Sequence, residues 1–209
     1  LERLFREDGP KRLLRVADSG QLVFDRGFML PDAGPDLVRA DLTVNCRNTR
    51  AIADLLRGFG GAKAAPGVPE GEPVEYLSCN SDGAAVDSVG HLLEDLVVGQ
   101  HVDPANILVI TGHRALRDRI RREAPGGFAC VAWEGRHGGD IICETVYRIK
   151  GLERDAVVLA TVRDDLSDHL LYVGMSRAIS TLKVVAPEPL LDRIRAKARL
   201  RTRAGVADG

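Results

Sequence analysis

Two arginines in this chain stand in short turns beside apolar segments, where that side chain could do chemistry. Arg47 lies in LTVNCRNTRAIADLL, residues 42–56, between a strand expected to end at Val44 and an amphipathic helix. Arg177 follows the apolar run of LLYVGMSRA, residues 170–178, which reads either as a strand or as a buried helix. A guanidinium binds phosphate oxygens bidentately and stays charged at physiological pH, so either residue could meet negative charge growing on a transferred phosphoryl group. A third segment, ETVYRIKGLERDAVVLA over residues 144–160, holds Lys150, Gly151 and Glu153 before a buried strand. Gly151 permits a turn that a side chain would block. Lys150 and the neighbouring amides could hold a phosphate, and Glu153 could accept from a hydroxyl such as that of a ribose. Each segment taken alone also has a plainer reading: a surface ion pair, a polar turn, an arginine on a helix surface.

The elements that must position these residues alternate. Strands are expected at residues 13–16, 22–24, 74–79, 107–112, 128–133, 156–162 and 182–186. Several are apolar throughout, as parallel strands buried on both faces should be. Helical spacing appears at residues 49–59, with Ile52, Leu55 and Leu56 on one face. It recurs at residues 86–96 behind Ser81 and Asp82 as caps, at 114–123, and at 190–200 with Leu190, Leu191 and Ile194 together. Asn48 or Thr49 is expected to cap the first of these helices. The five arginines of residues 114–123 read as a solvated face rather than a phosphate site. Strand–helix alternation implies an α/β fold with a parallel sheet covered on both faces. Ligands in such sheets are expected beyond the carboxyl ends of the strands. The Gly/Pro/Ala-rich residues 60–73 read as a surface loop or linker, residues 135–140 as a second loop, and the tail after Arg201 as frayed.

The three segments gain meaning from their order. N-C-R-N-T (residues 45–49), T-V-Y-R-I-K-G-L-E (145–153) and L-Y-V-G-M-S-R-A (171–178) closely resemble motifs IV, V and VI of the UvrD/Rep/PcrA-like superfamily-one helicases. More weakly, RVADSGQLVF at residues 15–24 resembles motif III, with Asp18 and Gln21 at its marked positions. The resemblance implies a RecA-like sheet. Residues 1–40 would be the end of a first motor domain, 41–190 the second RecA-like domain, and 191–209 a C-terminal helix and tail. It further implies that Arg47 and Arg177 reach the γ-phosphate of an ATP held in the cleft between two domains. Gln21 would link that phosphate to the nucleic-acid surface. Glu153 would lie near the ribose with Gly151 and Lys150 at the same edge, and Thr145 and Tyr147 would meet a single strand, expected to be DNA. Two positions depart from the family: Tyr147 stands where His is common, and Ile179 where Arg is common. The short spacing between Arg47 and Thr145 implies a compact type without the large helical insertion.

The chain holds no G-x-x-x-x-G-K-[ST]. GFGGAK, residues 58–63, has the wrong spacing and follows a helix. ATP with Mg²⁺ is therefore expected to be gripped mainly by an N-terminal P-loop domain of the same protein, and this chain alone is expected not to hydrolyse it. The opening residue is Leu rather than Met, in keeping with an expected fragment. The alternative is a non-catalytic helicase-like interaction or regulatory module. A dinucleotide-binding enzyme is disfavoured because no G-x-G-x-x-G follows a strand.

Bulk properties narrow the classes further. The 209 residues carry a net charge of -1 and 4% aromatics, which argues against a globally basic nucleic-acid binder and against an aromatic stacking platform. The four cysteines include no C-x-x-C pair; they read as buried free thiols rather than a zinc site, suiting a reducing cytoplasm, and a monomer is expected. No run reaches the length that a membrane span needs, so no membrane partner is expected.

Overall fold

The structure, a computed structural model, describes residues 43–204. The strands expected at residues 13–16 and 22–24, the first-domain remnant over residues 1–40, and Asp18 and Gln21 lie outside the described residues.

A short strand β1 (Val44–Asn45) pairs in parallel with β2 (Lys63–Ala64), and helix α1 (Arg50–Arg57) connects them. Next come β3 (Glu75–Ser78), α2 (Asp82–Glu94) prolonged by one π-helical stretch (Asp95–Gly99), β4 (Ile107–Thr111) and α3 (Arg114–Glu123). Then follow β5 (Cys130–Val131), β6 (Ile141–Thr145), β7 (Arg154–Ala160), α4 (Asp168–Met175), β8 (Ala178–Ala186) and α5 (Glu188–Ala204). The last six strands form one parallel sheet in the order β3-β8-β7-β4-β6-β5.

Alternation along the central strands supplies a core to each face. Leu108, Ile110, Ile142, Val157, Leu159, Leu182 and Val184 pack with α1, α4 and α5. Ile107, Val109, Ile141, Cys143, Ala156, Val158 and Val185 pack with α2 and α3. The expected sheet with both faces covered is what forms, because a parallel sheet has no face it can leave to water. Helix α1 shows what holds its elements. It spans 8 residues and has no side-chain cap, too short to persist alone. Ile52, Leu55 and Leu56 are buried, and each such side chain contributes about 1.5–3 kcal/mol on leaving water.

Several expectations change in the folded chain. The apolar run before Arg177 is helix α4, with Ser167 capping it through the Leu170 N–H at 3.3 Å. Ser81 caps α2 as expected, accepting from the Ala84 N–H at 3.2 Å. Asn48 and Thr49 do not cap α1. Its first amides, Arg50 and Ala51, donate instead to the carbonyls of Pro69 and Glu70 at 2.9 and 3.0 Å. Residues 60–73 are thus a surface loop, as expected, that carries β2 and closes over that helix end. Gly71 makes the closure: a Cβ there would stand 2.4 Å from the Thr49 Cβ. Helix α5 runs through Ala204, past the expected fraying point. Strand β6 was not among the expected strands, yet all five of its residues, Glu144 included, are buried.

Among the described residues no helix is long and apolar enough to cross a membrane. Cys79, Cys130 and Cys143 are buried, but Cys46 is exposed, against the expectation of four buried thiols. Burial raises the pKa of the Cys79 and Cys143 thiols and pushes that of Cys130 up to about 12. Thiolate is the reactive species. A chromogenic disulfide reagent at pH 8 should therefore modify one thiol per native chain and all four after denaturation; rapid native modification of more than one would show that the core around β5 and β6 is open.

Candidate functional site

Arg47, Glu153 and Arg177 come together from three segments. Arg47 Nη1 lies 2.9 Å from Glu153 Oε1, and Arg177 Nη1 lies 3.8 Å from the same oxygen. Two cations from different turns share one carboxylate oxygen, which marks a position where an anion is held by opposite charge. The fold explains the meeting. Glu153 immediately precedes β7 and Arg177 immediately precedes β8, and these strands pair in parallel with Arg154 opposite Ala178. The Arg154 N–H also donates to the Arg177 carbonyl at 3.1 Å. The site therefore sits at the amino ends of the strands, not at the carboxyl ends where it was expected.

The two arginines differ in setting. Arg47 is exposed, so its pair with Glu153 contributes about 0.2–1 kcal/mol at most. Arg177 is 2% exposed. Its Nε donates to the Val173 carbonyl at 3.0 Å and its Nη2 to Ser176 Oγ at 3.1 Å. It is not the helix-surface arginine of the plainer reading; its Nη1 points toward the Glu153 carboxylate.

The turn carrying Arg47 is fastened to the start of β8. Strand β3 pairs with β8 only from Lys183 onward. The register between β7 and β8 slips after Arg154, with Ala156 next opposite Thr181. Carbonyls at the start of β8 are thus available. Asn48 Nδ2 donates to Ala178 O at 2.5 Å, and the Thr49 N–H donates to Ile179 O at 3.0 Å. Asn45 braces the turn, accepting from the N–H groups of Arg47 and Asn48 at 3.0 and 3.1 Å and donating to Asn48 Oδ1 at 2.7 Å.

Thr145 and Tyr147 lie at the opposite end of the sheet. Thr145 is the last residue of β6 and is buried; Tyr147 follows in a 3-10 turn (Val146–Arg148) and is 43% exposed. Between them and Glu153 the chain crosses the sheet with Val146, Ile149 and Leu152 buried in the core. Gly151 makes the turn into β7 at φ +81, in the left-handed region that glycine adopts without strain. Lys150 and Gly151 are exposed beside that turn. Among the described residues no group of three or more His, Cys, Asp or Glu is gathered as for a metal ion.

Sequence reasoning missed Glu144. It is wholly buried in β6, with Oε1 2.8 Å from Arg121 Nη2 and 3.3 Å from the Trp133 N–H. Arg117 Nη1 and Arg148 Nε stand 3.9 and 3.8 Å from Oε2. Two of the five arginines read as a solvated face on α3 thus turn inward to a buried charge. The available signal was that Glu144 falls inside an apolar run, four residues before Arg148.

Residues 140–185 match the family profile described as UvrD-like helicase C-terminal domain. That stretch holds Thr145, Tyr147, Lys150, Gly151, Glu153 and Arg177. Among solved structures, the chain is similar to the C-terminal domain of a possible DNA helicase from Lactobacillus plantarum WCFS1, at 24% identity over 71% of this chain and 92% of that one, with a TM-score of 0.54. It is also similar to the PRRSV helicase, at 16% identity over 73% of this chain and 24% of that one, with a TM-score of 0.39. No curated protein matches the chain. The six-stranded parallel sheet with helices on both faces is an α/β RecA-like fold, the fold this chain shares with that solved C-terminal domain.

Removing one partner of a buried ion pair leaves uncompensated charge and costs about 3–5 kcal/mol. Glu144→Ala should lower the stability of the chain by that amount in urea denaturation. A loss below about 1 kcal/mol would mean that water already reaches the three arginines.

Proposed function

We propose that this chain is the second motor domain of an ATP-dependent DNA helicase or translocase. The observation that carries the reading is the convergence of Arg47 and Arg177, from separate turns, on one carboxylate oxygen. Two guanidinium groups aimed at one anionic position suit a phosphate, whose oxygens accept from such forks better than a single carboxylate oxygen does. ATP, when bound with Mg²⁺, supplies the phosphoryl group whose transfer releases the energy for movement. The chain has no P-loop sequence, so the grip on the β- and γ-phosphates falls to another domain of the same protein. Arg47 and Arg177 complete the site from the far side, and Gln21 relays the state of the phosphate. Glu153 gives up its arginines to the arriving phosphate and is then able to accept from a ribose hydroxyl, with Lys150 and Gly151 beside it. At the other end of the sheet Tyr147 meets a single strand by base stacking, on the turn that the buried Thr145 anchors at the end of β6.

A second reading is supported by one observation, the burial of Arg177. Its donors to Val173 and Ser176 are those of a residue that holds α4 to β8. On that reading the chain is a non-catalytic helicase-like module, and Arg177 is structural.

Single-strand-stimulated ATPase of the intact protein, measured at stated salt, separates the two. Arginine fingers contribute roughly 10³–10⁵ in rate, so Arg177→Ala should lower turnover at least about 10³-fold while ATP still binds. Near-normal turnover in a folded variant would leave the module reading. Tyr147→Ala should weaken single-strand binding by about 1–3 kcal/mol, the worth of one stacked base. Unchanged affinity would remove Tyr147 from the strand contact.

A further inference from the structure

We infer that Asn48 is a positioning residue that sets the separation of Arg47 and Arg177, an inference that rests on the proposed role of those two arginines. Asn48 is 3% exposed although it neighbours the exposed Arg47. Its Nδ2 donates to Ala178 O at 2.5 Å and reaches Ser176 O at 3.5 Å. Those two carbonyls belong to the residues on either side of Arg177. Its Oδ1 accepts from Asn45 Nδ2 at 2.7 Å, and Asn45 Oδ1 in turn accepts the Arg47 N–H. One side chain therefore connects the backbone of the Arg47 turn to the backbone that carries Arg177. Thr49 adds bonds to Ile179 and Ser180, but these lie farther along β8. Among the described residues it is Asn48 whose donor reaches both carbonyls that flank Arg177.

The chemistry of the side chain fits this task. A carboxamide offers a donor and an acceptor in one plane. Serine is too short to reach both carbonyls while still receiving Asn45. Aspartate has the same shape but presents oxygen to the Ala178 and Ser176 carbonyls, so the clamp becomes repulsive. The Glu153 carboxylate joins the two guanidinium groups only in the absence of a better anion. The backbone clamp through Asn48 needs no charge, and it remains when a phosphate takes the place of Glu153. A misplacement of about 1 Å at a reacting centre can cost on the order of 100-fold in rate, so holding the two turns as one body matters for turnover rather than for nucleotide affinity.

The test uses the intact protein with Asn48→Asp and Asn48→Ser. Amide hydrogen exchange reads the clamp itself, ATPase kinetics read its consequence, and thermal denaturation reads general damage. For Asn48→Asp the expected result is faster exchange of the Arg47 and Thr49 amides with β7 amides unchanged. The kcat should fall ten- to hundred-fold and the KM for ATP should stay within threefold. In an Arg177→Ala background, Asn48→Asp should lower kcat no further, whereas a merely structural defect lowers the melting temperature equally in both backgrounds. The Asn48→Ser protein, with less repulsion, should show a smaller kcat loss in the same direction. An unchanged kcat in either folded variant overturns the positioning role, as does a kcat loss that multiplies fully with that of Arg177→Ala. If Arg177→Ala itself leaves kcat intact, the proposed role of the arginines fails, and with it any catalytic meaning of Asn48. Altered exchange would then mark Asn48 as a fastening of the fold alone.

Discussion

Parallel pairing of β7 with β8 is the constraint on which the site depends. Strands that run the same way begin at the same end, so the residues just before them are brought side by side. Arg154 opposite Ala178 makes Glu153 and Arg177 neighbours even though 23 residues intervene. The same pairing slips by one position after its first step, and β3 does not reach the start of β8. Carbonyls that a regular sheet would have consumed are left for Asn48 and Thr49. A buried carbonyl without a donor costs free energy, and here the Arg47 turn supplies the donors. Arg47 is thus delivered to Glu153 by the repair of an incomplete sheet edge.

The crossover from β6 to β7 joins the two ends of the sheet with a single 3-10 turn and no α-helix. It leaves β6 at Thr145 and arrives at Glu153, with Val146, Ile149 and Leu152 buried on the way. A segment packed that tightly does not drift independently of the strands beneath it, since cores are dense and respond to displacement as a unit. The proposed single-strand turn and the proposed phosphate site are therefore the two ends of one short, buried connection.

Charge inside the domain is handled in two ways. At the amino ends, Glu153 is partly open to water between Arg47 and Arg177. At the carboxyl end, Glu144 is sealed beneath Arg117, Arg121 and Arg148, where no solvent screens it. The first arrangement suits reversible contact. The second ties α3, the exit of β5 and the Tyr147 turn together, because each contributes a donor or a cation to the same carboxylate.

Much of this was legible in the order of residues. Apolar runs foretold β3, β4, β5, β7 and β8, because strands covered on both faces bury nearly every side chain, and period-3.6 spacing foretold α1, α2, α3 and α5, because a helix buries one face. The three segments around Arg47, Glu153 and Arg177 stood out by their order along the chain, which resembles that of helicase motifs, and the folded chain brings those three side chains together. Strand β6 was not legible, because a strand with Glu144 buried in it depends on Arg121 and the Trp133 amide, which reach the carboxylate only in the folded chain. Nor was the buried state of Arg177, the exposure of Cys46 or the role of Asn48. The sequence by itself determined the elements and the identity of the charged residues, both of which follow from local spacing and side-chain type. Only the tertiary structure decided that the arginines meet at the amino ends of the strands, on one oxygen, held by Asn48. Strand order, register slip and edge length are properties of long-range pairing, and no local pattern encodes them.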